Sequence, residues 1–168
     1  MIVNYLFDQK HRNPYKEILY LLYMKLAGFR LNKITAERTG DSLEGVKVNT
    51  NIDIVEIKEI KSGAFKGKEQ VLEIKFTYTL SYAPEFAKIE LGGLLMVGID
   101  FKESRDVVKE WKQKQMPDDF KVNLLNLIIR KSSVRALELE DDLGVPYHMQ
   151  FPSLRKPQEQ ENVEKEQN

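Results

Sequence analysis

The chain has 168 residues, 42% of them hydrophobic and 31% charged, and its 26 lysines and arginines are matched by 26 aspartates and glutamates. That length suits one compact domain with a sizeable core, and the zero net charge argues against polyanionic partners such as nucleic acid or an acidic membrane surface. Cysteine is absent, which excludes disulfides, thiolate zinc sites and thiol nucleophiles together and fits a reducing compartment.

In chain order, residues 1–15 read as an N-terminal arm, residues 16–155 as a single α+β domain and residues 156–168 as a disordered tail rich in Gln, Glu, Lys and Asn. The start Met1-Ile-Val-Asn-Tyr-Leu-Phe-Asp8 lacks the basic opening and small-residue cleavage site of a signal peptide. No apolar run approaches the about 18 residues of a membrane span. The expected location is the cytoplasm, without membrane insertion.

Ile18 to Leu31 is apolar on both parities, and its aromatics and Gly28 favour a strand over a helix. Thr35-Ala-Glu-Arg-Thr-Gly-Asp-Ser-Leu-Glu-Gly45 is rich in turn formers and reads as a long loop. In the next strand Val46, Val48, Ile52 and Ile54 share one parity while Val55 and Ile57 take the other, so a bulge or bend is expected near Ile54. Val71 to Tyr82 alternates strictly, placing Leu72, Ile74, Phe76, Tyr78, Leu80 and Tyr82 on one face. It passes through Pro84 into Ile89 to Ile99, whose end from Leu94 is apolar or Gly on both parities and should be covered on both faces.

Two helices follow. Lys102 to Gln115 is charged around Val107, Val108 and Trp111, a narrow stripe that can dock through Trp111. Pro117-Asp118-Asp119 supplies a capping aspartate and a negative first turn for a helix over about Asp119 to Leu139. There Val122, Leu124, Leu125, Leu127, Ile128 and Ile129 exceed the usual apolar stripe, leaving Asn123, Asn126, Arg130 and Ser133 as a polar line. A helix this apolar needs cover on two sides, and little chain is left to supply the second.

The search for chemistry is negative. His11 and His148, the only histidines, are too far apart in sequence for a metal motif and suit surface or structural roles. Glu138, Glu140, Asp141 and Asp142 fail the spacing of a calcium loop and read as solvated charge. Gly92, Gly93 and Gly98 lie within a strand, where close backbone approach or a bulge is the expected use, rather than at a phosphate-binding turn. No nucleophile elbow accompanies the serines. The chain is expected not to be an enzyme and to need no cofactor and no metal.

The order of four strands, two helices and a coda Leu143-Gly-Val-Pro-Tyr-His-Met-Gln-Phe-Pro-Ser-Leu154 resembles the SecB family of export chaperones. The resemblance covers roughly Leu22 to Leu154. It is carried by Phe86-Ala-Lys-Ile-Glu-Leu-Gly-Gly-Leu-Leu95, similar to the family's strand ending in Gly-Gly and a hydrophobic pair, by Asn123-Leu-Leu-Asn-Leu-Ile-Ile-Arg130, and by Val145-Pro146 with Phe151. Where the family has Phe-Pro-Tyr before the helix arginine, this chain has Asn126-Leu-Ile-Ile129. The family's classical members are strongly acidic and dock an export motor through that acidity, whereas this chain is balanced and looks like a stand-alone relative.

The resemblance implies a four-stranded antiparallel sheet packed by two C-terminal helices. It also implies an ATP-independent holdase that keeps unfolded or aggregation-prone polypeptides in apolar grooves, as in protein transport. Candidate client-binding residues are Leu22, Met24 and Leu26 on the first strand, Leu43 in the long loop, and Tyr147, Met149, Phe151 and Leu154 in the coda; flexible and aromatic side chains suit varied clients. Pro146 and Pro152 bracket a segment that cannot be regular helix and that offers Tyr147, Met149 and Phe151 at strand-like spacing. The apolar helix points to self-association, as a homotetramer built from dimers, with Leu124, Leu127 and Ile128 at the interface. Two other readings are an oligomeric adaptor or structural module for one specific protein partner, and a carrier of a small apolar ligand held between sheet and helices.

Overall fold

The computed structural model describes residues 24–60 and 69–152. The expected arm, the polar tail, Leu22 and Leu154 lie outside the described residues. Strands β1 (Lys25–Arg38), β2 (Lys47–Ile60), β3 (Glu69–Ala83) and β4 (Ala87–Asp100) form one antiparallel sheet in the order β1-β4-β3-β2. Helices α1 (Phe101–Trp111) and α2 (Asp118–Leu143) follow; α1 packs on β2, β3 and β4, and α2 on β1, β3 and β4. This is the α+β architecture that the resemblance implies. Because β1 and β2 take opposite edges, the loop between them must cross one end of the sheet, whereas β3 and β4 are joined by a tight hairpin.

Alternation decides which face the helices cover. Along β3 the residues Leu72, Ile74, Phe76, Tyr78, Leu80 and Tyr82 are sealed, while Lys75 and Ser81 are exposed. Opposite them Val97, Leu95, Leu91 and Ile89 of β4 are sealed as well. Val107 of α1 and Phe120, Leu124, Ile128 and Ala136 of α2 close the layer from the other side. Each large apolar side chain buried here contributes roughly 1.5–3 kcal/mol. The outer face of β4 is only partly covered at its end: Gly98 is buried, but Leu94 and Met96 are half-buried.

The bulge expected near Ile54 is present. Ile54 lies opposite Phe76 and Glu56 opposite Lys75, so Val55 is left without a partner and is exposed. A second irregularity sits in β1, where Leu31 faces Gly93 and Lys33 faces Gly92, skipping Asn32. A Cβ on Gly93 would lie 2.7 Å from the Arg30 carbonyl oxygen and 2.8 Å from the Phe76 ring, which stacks on Phe29 at 5.8 Å. Only glycine fits that approach.

Several boundaries move. β1 runs on through Thr35–Arg38, paired with Glu90–Ala87, so the long loop begins only at Thr39. Edge pairing overrides the turn-forming composition there. α1 stops at Trp111, short of Gln115, and Lys114 adopts a left-handed φ of 59°. Its N-terminus is capped by Asp100, whose carboxylate accepts from the Lys102 amide at 2.8 Å. α2 spans four residues more at its C-terminus than expected, and no aspartate caps it: the cap position is Pro117, and Asp118 and Asp119 act only through the helix dipole.

The outward side of α2 carries Val122, Asn126, Arg130 and Val134, whereas Ser133, expected on a polar line, is buried and Asn123 is half-buried. Leu124 and Ile128, expected at an interface between copies, have no exposed surface and pack inside the chain. A side chain sealed within its own core has nothing to offer a second copy. Of that trio only Leu127 is half-buried at the surface.

Candidate functional site

The C-terminal end of α2 is finished by chemistry the sequence supplies. Gly144 takes a left-handed φ of 59° and donates its amide to Asp141, and the Val145 amide donates to Glu140 at 3.0 Å. This is the double closure that lets a helix stop at glycine and tuck the following apolar residue, here the buried Val145, under its last turn. Arg38, the last residue of β1, donates from Nη1 to the carbonyls of Leu143 and Gly144, both at 3.1 Å, and from Nε to Gly40 at 3.0 Å. Its guanidinium also lies 5.0 Å from the centre of the Phe86 ring. A cation on the last carbonyls of a helix meets the negative end of its dipole. Arg38 thereby ties the long loop to the place where the coda leaves α2.

Beneath the coda is a buried polar cluster. Glu140 is 0% exposed. Its Oε1 accepts from the Tyr82 hydroxyl at 2.5 Å, from the His148 amide at 3.0 Å and from His148 Nδ1 at 2.8 Å. The other ring nitrogen of His148 lies 3.2 Å from the Ser133 hydroxyl, and the ring meets Tyr78 edge-on at 6.2 Å. Burial, followed by the Glu140 carboxyl beside it, pushes the Tyr82 phenol far above its ordinary range. It therefore stays a donor. Burial raises Tyr78 too, and among the described residues its hydroxyl closes no hydrogen bond within ordinary geometry, although Ser133 and Thr50 influence it from nearby.

The solvated reading of the acidic cluster thus holds for Glu138, Asp141 and Asp142, which are exposed, and fails for Glu140. The signal was present: Phe120, Leu124, Ile128, Ser132, Ala136 and Glu140 recur every fourth residue, and all are buried. Glu140 ends the inward stripe of α2. Tyr82 and His148, distant in sequence, satisfy it.

Around the inward-pointing His148, residues 146, 147 and 149–152 of the coda are exposed. Tyr147, Met149 and Phe151 are 43%, 40% and 56% exposed. Tyr147 donates its hydroxyl to Asp141 at 2.9 Å, which with the charge of that carboxylate raises the phenol, and its ring meets Phe151 edge-on at 5.1 Å. Three large side chains form an apolar ledge on a segment anchored from below. Leu43 is also exposed, on the loop that Arg38 holds to this end of α2. The other candidates do not join them. Met24 is buried, and Leu26, though exposed, sits at the far end of β1 from Arg38, roughly 40 Å away along the strand.

The layer between sheet and helices is occupied by Phe76, Tyr78, Tyr82, Phe120 and their neighbours. An open channel of about 590 Å³ runs elsewhere, along α1, lined by Phe101, Val108 and several charged side chains. No group of His, Asp or Glu side chains that could hold a metal ion exists among the described residues, and no described helix is long and apolar enough to cross a membrane.

The chain matches no family model and no curated protein. Among solved structures it is similar to the Mycobacterium tuberculosis Rv1957 SecB-like chaperone, determined in complex with a ChAD peptide from the Rv1956 HigA1 antitoxin. The identity is 9%, the likeness covers 81% of this chain and 94% of that one, and the TM-score is 0.50. What the two share is the fold: a four-stranded antiparallel sheet with two helices behind it.

Proposed function

We propose, from the SecB-like fold of this chain, that it is an ATP-independent holdase-type chaperone, taking unfolded or aggregation-prone polypeptides on the ledge of Tyr147, Met149 and Phe151 and on Leu43 of the loop that Arg38 ties to this end of α2. The observation that carries the reading is the combination of exposure and anchorage. Large apolar side chains stand in solvent at the end of α2, yet Glu140, His148 and Arg38 hold the backbone beneath them. A fixed apolar surface gives up little ordering entropy when it binds. A thioether beside two aromatic rings adapts to clients of varied sequence. In this reading the chain works in the cytoplasm and assembles with itself, as a tetramer, through the outward side of α2, where Val122 and Val134 are exposed beside the half-buried Leu127.

A dedicated adaptor for one partner is the second reading, favoured by the neighbour whose structure was determined in complex with a peptide from an antitoxin. Light scattering separates the two. A general holdase suppresses the heat-induced aggregation of two unrelated clients, without nucleotide and in the presence of a chelator. Protection of neither client, or a need for ATP or a divalent ion, would overturn the holdase reading, and protection of one cognate partner alone would leave the adaptor. Sedimentation at micromolar concentration checks assembly, and a monomer there would remove the tetramer.

A further inference from the structure

On the outer face of the sheet several lysines are paired with carboxylates. Lys33 and Lys88 both reach Glu90, at 2.6 and 3.2 Å, and Lys58 reaches Glu73 at 2.8 Å. Helix α1 is different. Lys102, Arg105, Lys109 and Lys112 recur at three- and four-residue spacing, which puts them along one side of the helix. Among the described residues none of the four makes an ion pair, and the Arg105 guanidinium instead lies 5.8 Å from the centre of the exposed Phe101 ring. In a chain with no net charge, this row gathers four cations along one side of α1, with Asp106 among them.

The row borders the open channel of about 590 Å³, a volume within the ordinary range of ligand clefts, about 300–1,000 Å³. Phe101 and Val108 give the channel an apolar floor, and two carboxylates, Asp106 and Glu59, interrupt the cations. Glu59 is held by the Ser104 hydroxyl at 2.7 Å. Evenly spaced phosphates would be repelled wherever they passed these carboxylates, so nucleic acid suits the channel poorly. The complementary occupant is a short extended protein segment in which acidic residues alternate with an aromatic or aliphatic one.

We propose that the channel along α1 is a docking site for an acidic, aromatic-bearing segment of a partner protein, with Lys102, Lys109 and Lys112 steering the segment and Phe101 under Arg105 receiving its apolar side chain. The site is separate from the coda, and the proposal does not rest on the chaperone reading. Charged rims of this kind govern encounter and specificity, and they weaken as salt screens them.

Fluorescence anisotropy on the full chain tests it with four probes: a labelled peptide of alternating Glu and Phe, its Lys-for-Glu counterpart, a single-stranded oligonucleotide of the same charge, and phosphatidylserine vesicles. The Glu-Phe peptide is expected to bind tightest, with affinity falling as salt rises. In K102E/K109E/K112E that affinity should drop roughly tenfold or more, while the Lys peptide gains. The milder K109Q/K112Q variant, which cannot unfold the helix by charge reversal, should lose part of the affinity at an unchanged melting temperature. Equal peptide affinity in wild type and variants would overturn the proposal, as would tighter binding of the oligonucleotide or the vesicles. Suppression of client aggregation should be unchanged in both variants, so this site and the coda can fail independently.

Discussion

The inner face of β3 and the coda after α2 are both built on period-two spacing, and they meet opposite fates. Leu72 to Tyr82 is flanked by β2 and β4 and roofed by two helices, so its alternate side chains are sealed. Tyr147, Met149 and Phe151 share the same spacing in sequence, but among the described residues no strand lies beside them, the chain bends at His148 and Met149, and the covered residues Val145 and His148 do not alternate with them. In a paired strand, alternation fixes which side chains share a side. Whether that side is covered depends on neighbours, and for the coda the neighbour is one buried carboxyl group rather than a sheet.

The largest effect is expected where coverage is complete. Phe76 has almost no exposed surface, stacks on Phe29 and fills the space that only glycine leaves at position 93. Phe76→Ala should cost about 3–5 kcal/mol, a melting point lower by roughly 10 °C. Urea denaturation checks the magnitude. Client affinity of the folded fraction should be unaltered, and a loss there would mean that the sheet interior and the ledge are coupled.

Glu140→Ala attacks the link between the two regions. It leaves the Tyr82 hydroxyl and the His148 amide buried without an acceptor, at a cost of about 2–4 kcal/mol. The coda should loosen although none of its exposed side chains has been altered. Hydrogen exchange at the amides of residues 147–151 should accelerate, and client affinity should fall with it. Glu140→Gln, which keeps an acceptor, should lie between the two. Unaltered exchange would show that the coda is held by something other than Glu140.

Much of this could be read from the sequence, for physical reasons. The β3–β4 hairpin was legible because one face is buried and the other wet, which writes strict alternation into the chain. The β2 bulge was legible because Val55 and Ile57 break parity. The length of β1 was hidden, since an edge strand with little burial carries a weak pattern, and Thr35 to Arg38 looks like a loop until Ile89 and Ala87 are set beside it. At the site, Tyr147, Met149 and Phe151 are exposed. The sequence points Leu124 and Ile128 outward because α2 has more apolar residues than one stripe holds, and sequence alone does not say which of them face in. Glu140 was masked by its acidic neighbours. Its partners Tyr82 and His148 come from other elements, so their convergence on it is a tertiary fact.

The smallest effect on stability should accompany the largest effect on binding. Met149 and Phe151 are exposed, and of the two only Phe151 makes a described ring contact, with Tyr147. A double Met149→Ser, Phe151→Ser change should therefore shift stability by no more than about 0.5–1 kcal/mol. Each large side chain removed from a desolvated contact costs on the order of 1–3 kcal/mol of binding, so the double change should weaken client affinity tenfold or more. The two quantities must be measured on the same preparation, melting temperature beside client affinity. Lost affinity at constant melting temperature locates the client on the ledge. A large drop in melting temperature with affinity intact would mean that the coda packs as β3 does, and the contrast between the two regions would disappear.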